Sequence, residues 1–351
     1  MFHDAVRPLV SQRIIDNVCE ALNTYQAIDV TVPAVDTIIE ADGDHIAAIP
    51  DRSRLQRGQT PQAFRLSVIS EAYKRAFNDP DFKVTDDCGV VVKYMPEVPV
   101  HLVAGEESNM KLTYKEDTFL LDKLFQLRGS QAPEVPGKEH FGGRVAVVFG
   151  GSYGIGKDIA TELRNAGAKV YSFSRSLTGT DVGNRRDVAR ALKEVADKEG
   201  KIDYVINTAG VLNKEPLCSM DYSIIQAAVQ TNYMGTVNVA LEAYNYLKQT
   251  QGQLVFFTSS SYTRGRAFYS IYSSTKAAIV NFVQAIAQEW ESVGIRVNCI
   301  NPERTKTPMR VKNFGVEPDD TLLKSEVVAD ATVRCLMADY TGQVIDVKRQ
   351  G

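Results

Sequence analysis

Apolar and polar positions alternate regularly along the chain after residue 143. The Val-rich run RVAVVFGG, residues 144–151, is typical of a buried parallel strand, and residues 157–176 predict an amphipathic helix, a Gly stop and a second strand. The later apolar runs DYVINTAG, GQLVFFTSSS, IRVNCINP and GQVIDVK are separated by stretches long enough for helices. This alternation predicts an α/β fold with a doubly wound parallel sheet.

The preceding part of the chain is patterned less regularly. Residues 27–51 predict two strands joined by an Asp-Gly turn, which would form a protruding hairpin, and residues 60–78 predict a helix. The segment GSQAPEVPGKEHFGG, residues 129–143, carries four glycines and two prolines, which is the composition of a linker. We therefore expect one domain over residues 1–128, a linker over 129–143 and a second domain over 144–351.

Composition and charge narrow the class of protein. The chain has 44% apolar and 24% charged residues, as ordinary globular proteins do. A net charge of -3 with scattered Lys and Arg argues against nucleic-acid binding. Since we find neither a membrane-spanning apolar run nor a signal-peptide pattern, we expect a cytoplasmic protein without a membrane partner.

Cysteine and histidine usage excludes further classes. The five cysteines are far apart and never form a C-x-x-C pair, so neither a disulfide framework nor a zinc site is predicted. All four histidines precede residue 141. The chemistry of the second domain therefore uses no imidazole, which excludes Ser-His-Asp and Cys-His hydrolases there.

A Gly-rich turn follows the first strand of the second domain. Gly150, Gly154 and Gly156 form G-x-x-x-G-x-G at the start of a predicted helix, where the backbone could approach a pyrophosphate. This context favours dinucleotide binding over a simple tight turn. At the end of the second strand, Arg175 stands where an NAD site usually has an acidic residue, so we expect NADPH; a merely solvated arginine is the alternative.

Tyr272 and Lys276 are four residues apart in the sequence YSSTK. On a helix this spacing puts them on one face, where an ammonium could stabilise the charge of a phenolate. A Tyr and a Lys on an ordinary surface helix are the alternative, and the pair alone does not decide between them.

The order of motifs in this half resembles the short-chain dehydrogenase/reductase family. After the Gly-rich turn come DV at 181–182, NTAG at 207–210, Asn232, Ser259, YSSTK at 272–276 and NPERTKTPM at 301–309. The resemblance covers residues 144–351. It implies an NADPH or NADP site formed by Gly150, Ser152, Tyr153, Gly154, Ile155, Gly156, Arg175, Asp181, Val182, Asn207, Ala209, Gly210, Tyr272, Lys276 and Thr307.

The same resemblance implies the catalytic roles. Tyr272 would protonate the substrate carbonyl as hydride arrives, and Lys276 would lower the pKa of that phenol and reach the ribose hydroxyls. Ser259 would hydrogen-bond the carbonyl, with Ser260 as the alternative. Asn232 would hold a water in a proton relay. No metal is implied in this domain.

Two departures from the family pattern affect these expectations. The interval between Arg175 and Asn207 is short, which predicts an abbreviated crossover, either with a reduced helix and strand or with the helix lost. Glu303 stands where the family usually has glycine, and Arg304 and Lys306 follow it. These basic residues suit a phosphate-bearing substrate; solvated surface charge is the alternative.

Residues 2–128 are similar to the methylerythritol-phosphate and ribitol-phosphate cytidylyltransferases, a family of α/β nucleotidyltransferases. The similarity lies in HDAVRP at 3–8, DRSRLQRGQTPQAF at 51–64, TDD at 85–87 and NMKLTYKED at 109–117. It implies that Arg52, Thr60 and Lys111 hold the phosphate of a polyol phosphate. Asp4 would lie beside the metal and reacting phosphates, next to Arg7. As isolated residues, Arg52 and Lys111 are more often surface charges and Asp4 is more often a cap.

The fusion as a whole resembles the bifunctional ribulose-5-phosphate reductases/CDP-ribitol pyrophosphorylases of surface polysaccharide pathways. It implies reduction of D-ribulose 5-phosphate to D-ribitol 5-phosphate with NADPH. The Gly-rich CTP loop of the transferase family would precede His3, so we expect a partial transferase domain and weak cytidylyl transfer. Mg²⁺ and CTP would bind only if that domain were completed.

The hairpin before Arg52 resembles an arm that reaches into a neighbouring subunit in the transferase family, which implies a homo-oligomer. Two alternatives to the reductase stay open at this point: a non-catalytic dinucleotide-binding or scaffolding protein, and a cytidylyltransferase completed by a partner chain.

Overall fold

The computed structural model describes residues 1–83, 86–128 and 141–349. The chain divides into two compact units, Met1–Phe125 and Gln126–Gly351. Most of the predicted linker, and Thr85 of the TDD motif, lie outside the described residues.

The first unit contains a three-stranded sheet in the order β4-β1-β5, in which β1 is antiparallel to β4 and parallel to β5. The predicted hairpin is formed by β2 and β3. Helices and strands of this unit are α1 (Gln12–Ala21), β1 (Ala27–Pro33), β2 (Glu40–Asp42), β3 (His45–Ala48), β4 (Gln56–Phe64), α2 (Leu66–Ala76), α3 (Asp87–Tyr94), β5 (Val100–Ala104) and α4 (Asp117–Arg128).

The helix predicted over residues 60–78 is wrong at its start, because residues 60–64 belong to strand β4 and the helix begins at Leu66. Ala63 and Phe64 pair with Ile28 and Ala27 of β1 and are buried there. A long-range strand pairing therefore overrides the local helical preference.

The second unit is a six-stranded parallel sheet in the order β11-β10-β9-β8-β6-β7. Its elements are β6 (Val145–Phe149), α5 (Gly154–Asn165), β7 (Lys169–Phe173), α6 (Arg175–Thr178), α7 (Arg185–Glu199), β8 (Tyr204–Asn207), α8 (Tyr222–Val229), α9 (Gly235–Thr250), β9 (Gln253–Phe257), α10 (Ser270–Trp290), β10 (Arg296–Pro302), α11 (Pro308–Phe314), α12 (Ser325–Met337) and β11 (Val344–Val347). The doubly wound sheet predicted from the apolar runs is confirmed.

Apolar layers cover both faces of this sheet. One layer contains side chains of α7, α9 and α10, and the other contains side chains of α5 and α12. The strand order reverses at β6, since β7 lies on one side of it and β8 on the other. Such a reversal opens a crevice at the carboxyl ends of the strands, where ligands of doubly wound folds bind.

The crossover between β7 and β8 keeps its helix and lacks an additional strand, which differs in part from the expectation. Its helix α7 is retained with 15 residues and a buried apolar face, so loss of the helix is wrong. Residues 174–184 form no strand. Ser174 caps the short helix α6, and Gly179 ends it in the left-handed region at φ +66°, which turns the chain toward α7.

Within the described ranges, no helix is both long and apolar enough to cross a membrane.

Candidate active site

The Gly-rich turn packs tightly against the segment after β8. Gly150 and Gly154 have φ values of +81° and +58°, which favour glycine. A Cβ on Gly156 would lie 2.4 Å from both the Gly150 carbonyl oxygen and Thr208 Oγ1. Helix α5 begins at Gly154, and the side chain of its capping residue Tyr153 makes no capping hydrogen bond. The first-turn N–H groups can therefore receive an anion such as a pyrophosphate.

A cavity of about 900 Å³ opens at this edge of the sheet. Among the predicted cofactor and catalytic residues, those that line it are Gly150, Ser152, Tyr153, Gly154, Ile155, Gly156, Arg175, Asp181, Val182, Ala209, Gly210, Ser259, Tyr272, Lys276 and Thr307. Asn207 does not line it; it is buried, and its Oδ1 accepts a hydrogen bond from the Ala209 N–H at 3.1 Å. The arrangement fits a dinucleotide.

Arg175 is the first residue of α6 and is exposed at the cavity. Within the described part of the chain its guanidinium has no carboxylate partner. The nearby acidic residue Asp181 stabilises its own turn instead of pairing with Arg175, because its Oδ1 accepts a hydrogen bond from the Gly183 N–H at 2.8 Å. Arg175 therefore presents an unpaired positive charge after β7.

Tyr272 and Lys276 lie on the same face of α10, as their spacing predicts. The Lys276 ammonium is 5.6 Å from the centroid of the Tyr272 ring. It is buried and donates a hydrogen bond to the Phe257 carbonyl at 2.8 Å. The lysine is thus tied to the end of β9 beneath the tyrosine.

Burial moves the pKa values of both groups away from their ordinary values. It raises the pKa of Tyr272 to about 12, although a hydrogen bond with Ser259 acts in the opposite direction. Burial also lowers the pKa of Lys276 to about 8. Burial is the largest effect on the pKa of Tyr272, so the lowering of this pKa by Lys276 stays a prediction.

Ser259, rather than Ser260, influences the pKa of the tyrosine. Ser259 begins the short turn 260–262, where its Oγ accepts from the Ser261 N–H at 3.4 Å and from the Ser261 hydroxyl at 3.3 Å. It also lies close enough to Tyr272 to lower the pKa of the phenol. Ser260 instead accepts from the Arg266 guanidinium at 3.5 Å. This geometry favours Ser259 as the partner of a substrate carbonyl.

Asn232 is buried in a π-helical turn over residues 230–234 and does not line the cavity. Its amide accepts from the Val211 N–H at 2.8 Å and donates to the Val211 carbonyl at 3.0 Å and to Thr275 Oγ1 at 3.3 Å. The side chain therefore holds the segment after β8 against α10. Its role in a proton relay stays a prediction.

The cavity wall also contains side chains that the sequence analysis did not identify. They include Arg266, Tyr269, Arg310, Phe314 and Glu317. The first two lie between Ser259 and Tyr272 in the sequence, and that position alone could have indicated a place at the cavity mouth. Of the basic residues after Pro302, Arg304 lines the cavity, whereas Lys306 is paired with Asp319 at 2.7 Å and does not.

In the first unit, four of the five predicted polyol-phosphate residues lie together. The Asp4 carboxylate is 3.4 Å from Arg7 Nε and 3.3 Å from Lys111 Nζ, and its backbone N–H donates to Thr60 Oγ1 at 3.0 Å. Arg52 is not in these contacts; it is exposed and donates to the Val35 carbonyl at 3.0 Å. Among the described residues, no group of three or more His, Cys, Asp and Glu could hold a metal ion.

Comparisons with known proteins agree with this division. Residues 144–316 match the short chain dehydrogenase family, and residues 1–126 match the 2-C-methyl-D-erythritol 4-phosphate cytidylyltransferase family. A crystal structure of the 3-ketoacyl-(acyl-carrier-protein) reductase from Brucella melitensis, complexed with NADH, has the same fold at 22% identity. It aligns with a TM-score of 0.55 over 59% of this chain and 97% of its own.

Two curated relatives extend the comparison. The 2-C-methyl-D-erythritol 4-phosphate cytidylyltransferase of Thermobifida fusca is 49% identical over 131 residues, which are 36% of this chain and 53% of that protein. The bifunctional ribulose 5-phosphate reductase/CDP-ribitol pyrophosphorylase of Haemophilus influenzae is 47% identical over 353 residues. That alignment covers 99% of this chain and 74% of the relative. The chain therefore belongs to the family of bifunctional ribulose 5-phosphate reductases/CDP-ribitol pyrophosphorylases.

Proposed function

We propose that this protein reduces the carbonyl group of D-ribulose 5-phosphate with NADPH and so forms D-ribitol 5-phosphate. One observation carries the proposal: Ser259, Tyr272 and Lys276 line the same cavity as the Gly-rich turn, and the Lys276 ammonium is 5.6 Å from the centroid of the Tyr272 ring. An acid, a hydrogen-bond donor and a buried cation next to a dinucleotide site are the groups that carbonyl reduction requires. They argue against a non-catalytic scaffold.

The dihydronicotinamide, when bound, supplies the hydride for the carbonyl carbon. Tyr272 donates its phenolic proton to the carbonyl oxygen, while the Ser259 hydroxyl hydrogen-bonds that oxygen. A pKa of about 12 keeps the phenol protonated at neutral pH, so the proton is available. The Lys276 ammonium then stabilises the phenolate that remains, until a proton from solvent restores it.

NADPH is proposed over NADH because of Arg175. Its guanidinium is exposed at the cavity and has no carboxylate partner in the described part of the chain. A guanidinium binds a phosphate group through paired, charge-assisted hydrogen bonds. The same guanidinium cannot form such charge-assisted hydrogen bonds with a ribose that carries no phosphate.

A direct assay tests the reductase. Purified protein is mixed with NADPH and D-ribulose 5-phosphate, the loss of nicotinamide absorbance is followed, and the product is identified as ribitol 5-phosphate by chromatography. D-xylulose 5-phosphate in place of the substrate tests the stereochemical choice. Bound NADPH without oxidation, under conditions in which the ketose phosphate is in excess, would refute this substrate.

Cytidylyl transfer to D-ribitol 5-phosphate is a second candidate function, and the cluster of Asp4, Arg7, Thr60 and Lys111 favours it. Two cations and a hydroxyl beside one carboxylate suit a polyol phosphate and a reacting metal-bound nucleotide. Together the two activities would supply CDP-ribitol for a surface polysaccharide. We further propose that the protein is a homo-oligomer, in keeping with the exposed hairpin of β2 and β3.

The transferase is tested with CTP, Mg²⁺ and D-ribitol 5-phosphate, with release of pyrophosphate as the readout and Asp4→Asn as the control. The weak transfer expected from the sequence stays a prediction until this is measured. Rapid, Asp4-dependent formation of CDP-ribitol by the isolated chain would contradict it.

A further inference from the structure

Five basic side chains line the cavity, and they are not equivalent. Lys276 is buried under Tyr272, and Arg175 follows β7. Arg310 is neutralised, because its guanidinium donates to both carboxylate oxygens of Glu317 at 2.6 and 2.9 Å. Arg266 and Arg304 are exposed, and within the described ranges neither has a carboxylate within ion-pair distance.

The two carboxylates that interact electrostatically with Arg304, those of Glu303 and Glu317, are paired with other arginines. Glu303 accepts from the Arg349 N–H at 3.0 Å and is paired with its guanidinium at 3.5 Å. Glu317 is held by Arg310 at 2.6 Å. Arg304 therefore keeps its positive charge available at the cavity wall.

The segments that carry the two arginines meet on one wall. Ser260 and Glu303 line both this cavity and a neighbouring cavity of about 570 Å³. Arg266 is tied to this wall by its hydrogen bond to the Ser260 hydroxyl at 3.5 Å. Arg304 directly follows Glu303. Both arginines thus line the cavity at the wall that Ser260 and Glu303 share.

The loop that carries Arg266 is anchored. Phe268 has a φ of +71°, a conformation that residues with a side chain rarely adopt. Its carbonyl accepts a hydrogen bond from the Glu215 N–H at 2.6 Å, which holds the loop in place. A loop whose backbone is held in place loses less entropy when a ligand binds, which favours binding by Arg266.

We propose that Arg266 and Arg304 bind the phosphate group of the ketose phosphate and so determine the preference of the reductase for phosphorylated substrates. The inference rests on the proposed function and deepens it. Two unpaired guanidinium groups can share the charge of a phosphate and donate paired hydrogen bonds to its oxygens. Binding there would leave the far end of the substrate fixed while the carbonyl meets Tyr272 and Ser259.

The test compares Arg266→Gln, Arg304→Gln and the double variant on D-ribulose 5-phosphate and on D-ribulose. Arg264→Gln and Lys306→Gln are matched controls, since neither residue lines the cavity. Each test substitution should lower kcat/KM for the phosphorylated sugar by about 10- to 100-fold, because a charge-assisted hydrogen bond is lost. The kcat/KM for D-ribulose and the KM for NADPH should stay unchanged. Equal losses on both sugars would overturn the proposal.

A binding measurement separates this inference from the proposed reaction. The fluorescence of protein-bound NADPH is titrated with D-ribitol 5-phosphate and with ribitol, which needs no turnover and reports on the reductase cavity. Tighter binding of the phosphorylated polyol that disappears in the double variant supports the phosphate site, even if the wild-type protein does not reduce D-ribulose 5-phosphate. Persistence of the same preference in the double variant overturns it.

Discussion

The Lys276 ammonium lies 5.6 Å from the centroid of the Tyr272 ring and is hydrogen-bonded to the Phe257 carbonyl rather than to the phenol. The lysine can therefore act on the tyrosine only through its charge and not through a direct hydrogen bond. Because both groups are desolvated, an electrostatic interaction between them is stronger than it would be in water.

Replacing Tyr272 by Phe removes the proton donor and leaves the ring. We expect kcat for ketose reduction to fall by about 10²- to 10⁴-fold, the usual contribution of a positioned acid. NADPH affinity, measured by fluorescence titration, should change little, since the hydroxyl is directed at the substrate. A Tyr222→Phe variant, altered at an exposed tyrosine outside the cavity, is the control. Full activity in Tyr272→Phe would eliminate the tyrosine as the acid.

The reductase should lose activity above about pH 8, because Lys276 has a pKa of about 8 and only its protonated form stabilises the phenolate. Activity falls as the pH rises because the lysine is charged below its pKa and neutral above it. Tyr272, with a pKa of about 12, stays protonated throughout this range. The measurement is kcat/KM for ketose reduction as a function of pH.

Lys276→Met is the control for this pH dependence. It should be slow at every pH and lack the decline above about pH 8. A wild-type profile that stays flat to about pH 10, near the ordinary pKa of a lysine, would contradict the role of Lys276.

Arg175→Asp should reverse the choice of cofactor. The carboxylate repels a 2'-phosphate and can accept hydrogen bonds from an unmodified ribose, so kcat/KM should fall for NADPH by about 10- to 100-fold and rise for NADH. Arg186→Asp, at an exposed position of α7 outside the cavity, is the matched charge control. An unchanged ratio of the two cofactors would show that Arg175 is merely solvated.

Gly156→Ala tests the close packing of the Gly-rich turn. The new Cβ would lie 2.4 Å from the Gly150 carbonyl oxygen and from Thr208 Oγ1, so the backbone must shift. We expect a loss of about 1–3 kcal/mol in the free energy of unfolding, together with weaker NADPH binding. Gly142→Ala, whose Cβ would have no neighbour within 4 Å, should be neutral in both measurements.

Local pattern was sufficient for much of the second unit. Its parallel strands are short apolar runs buried on both faces, and its Gly-rich turn needs backbone geometry that few other residues adopt. The facing of Tyr272 and Lys276 follows from the helical period alone. In each case the property depends on residues that are neighbours in sequence, which is why the sequence by itself determined it.

Long-range packing decided the rest. Residues 60–64 form a strand because they pair with β1. Residues 174–184 form a short helix and a turn rather than a strand. The pKa of Tyr272 rose because burial depends on the whole surrounding cavity. Arg266 and Arg304 are 38 positions apart by their numbers, and only the folded sheet brings their segments to one wall. Burial, and the choice among competing charge partners, are properties of the tertiary structure that no local spacing encodes.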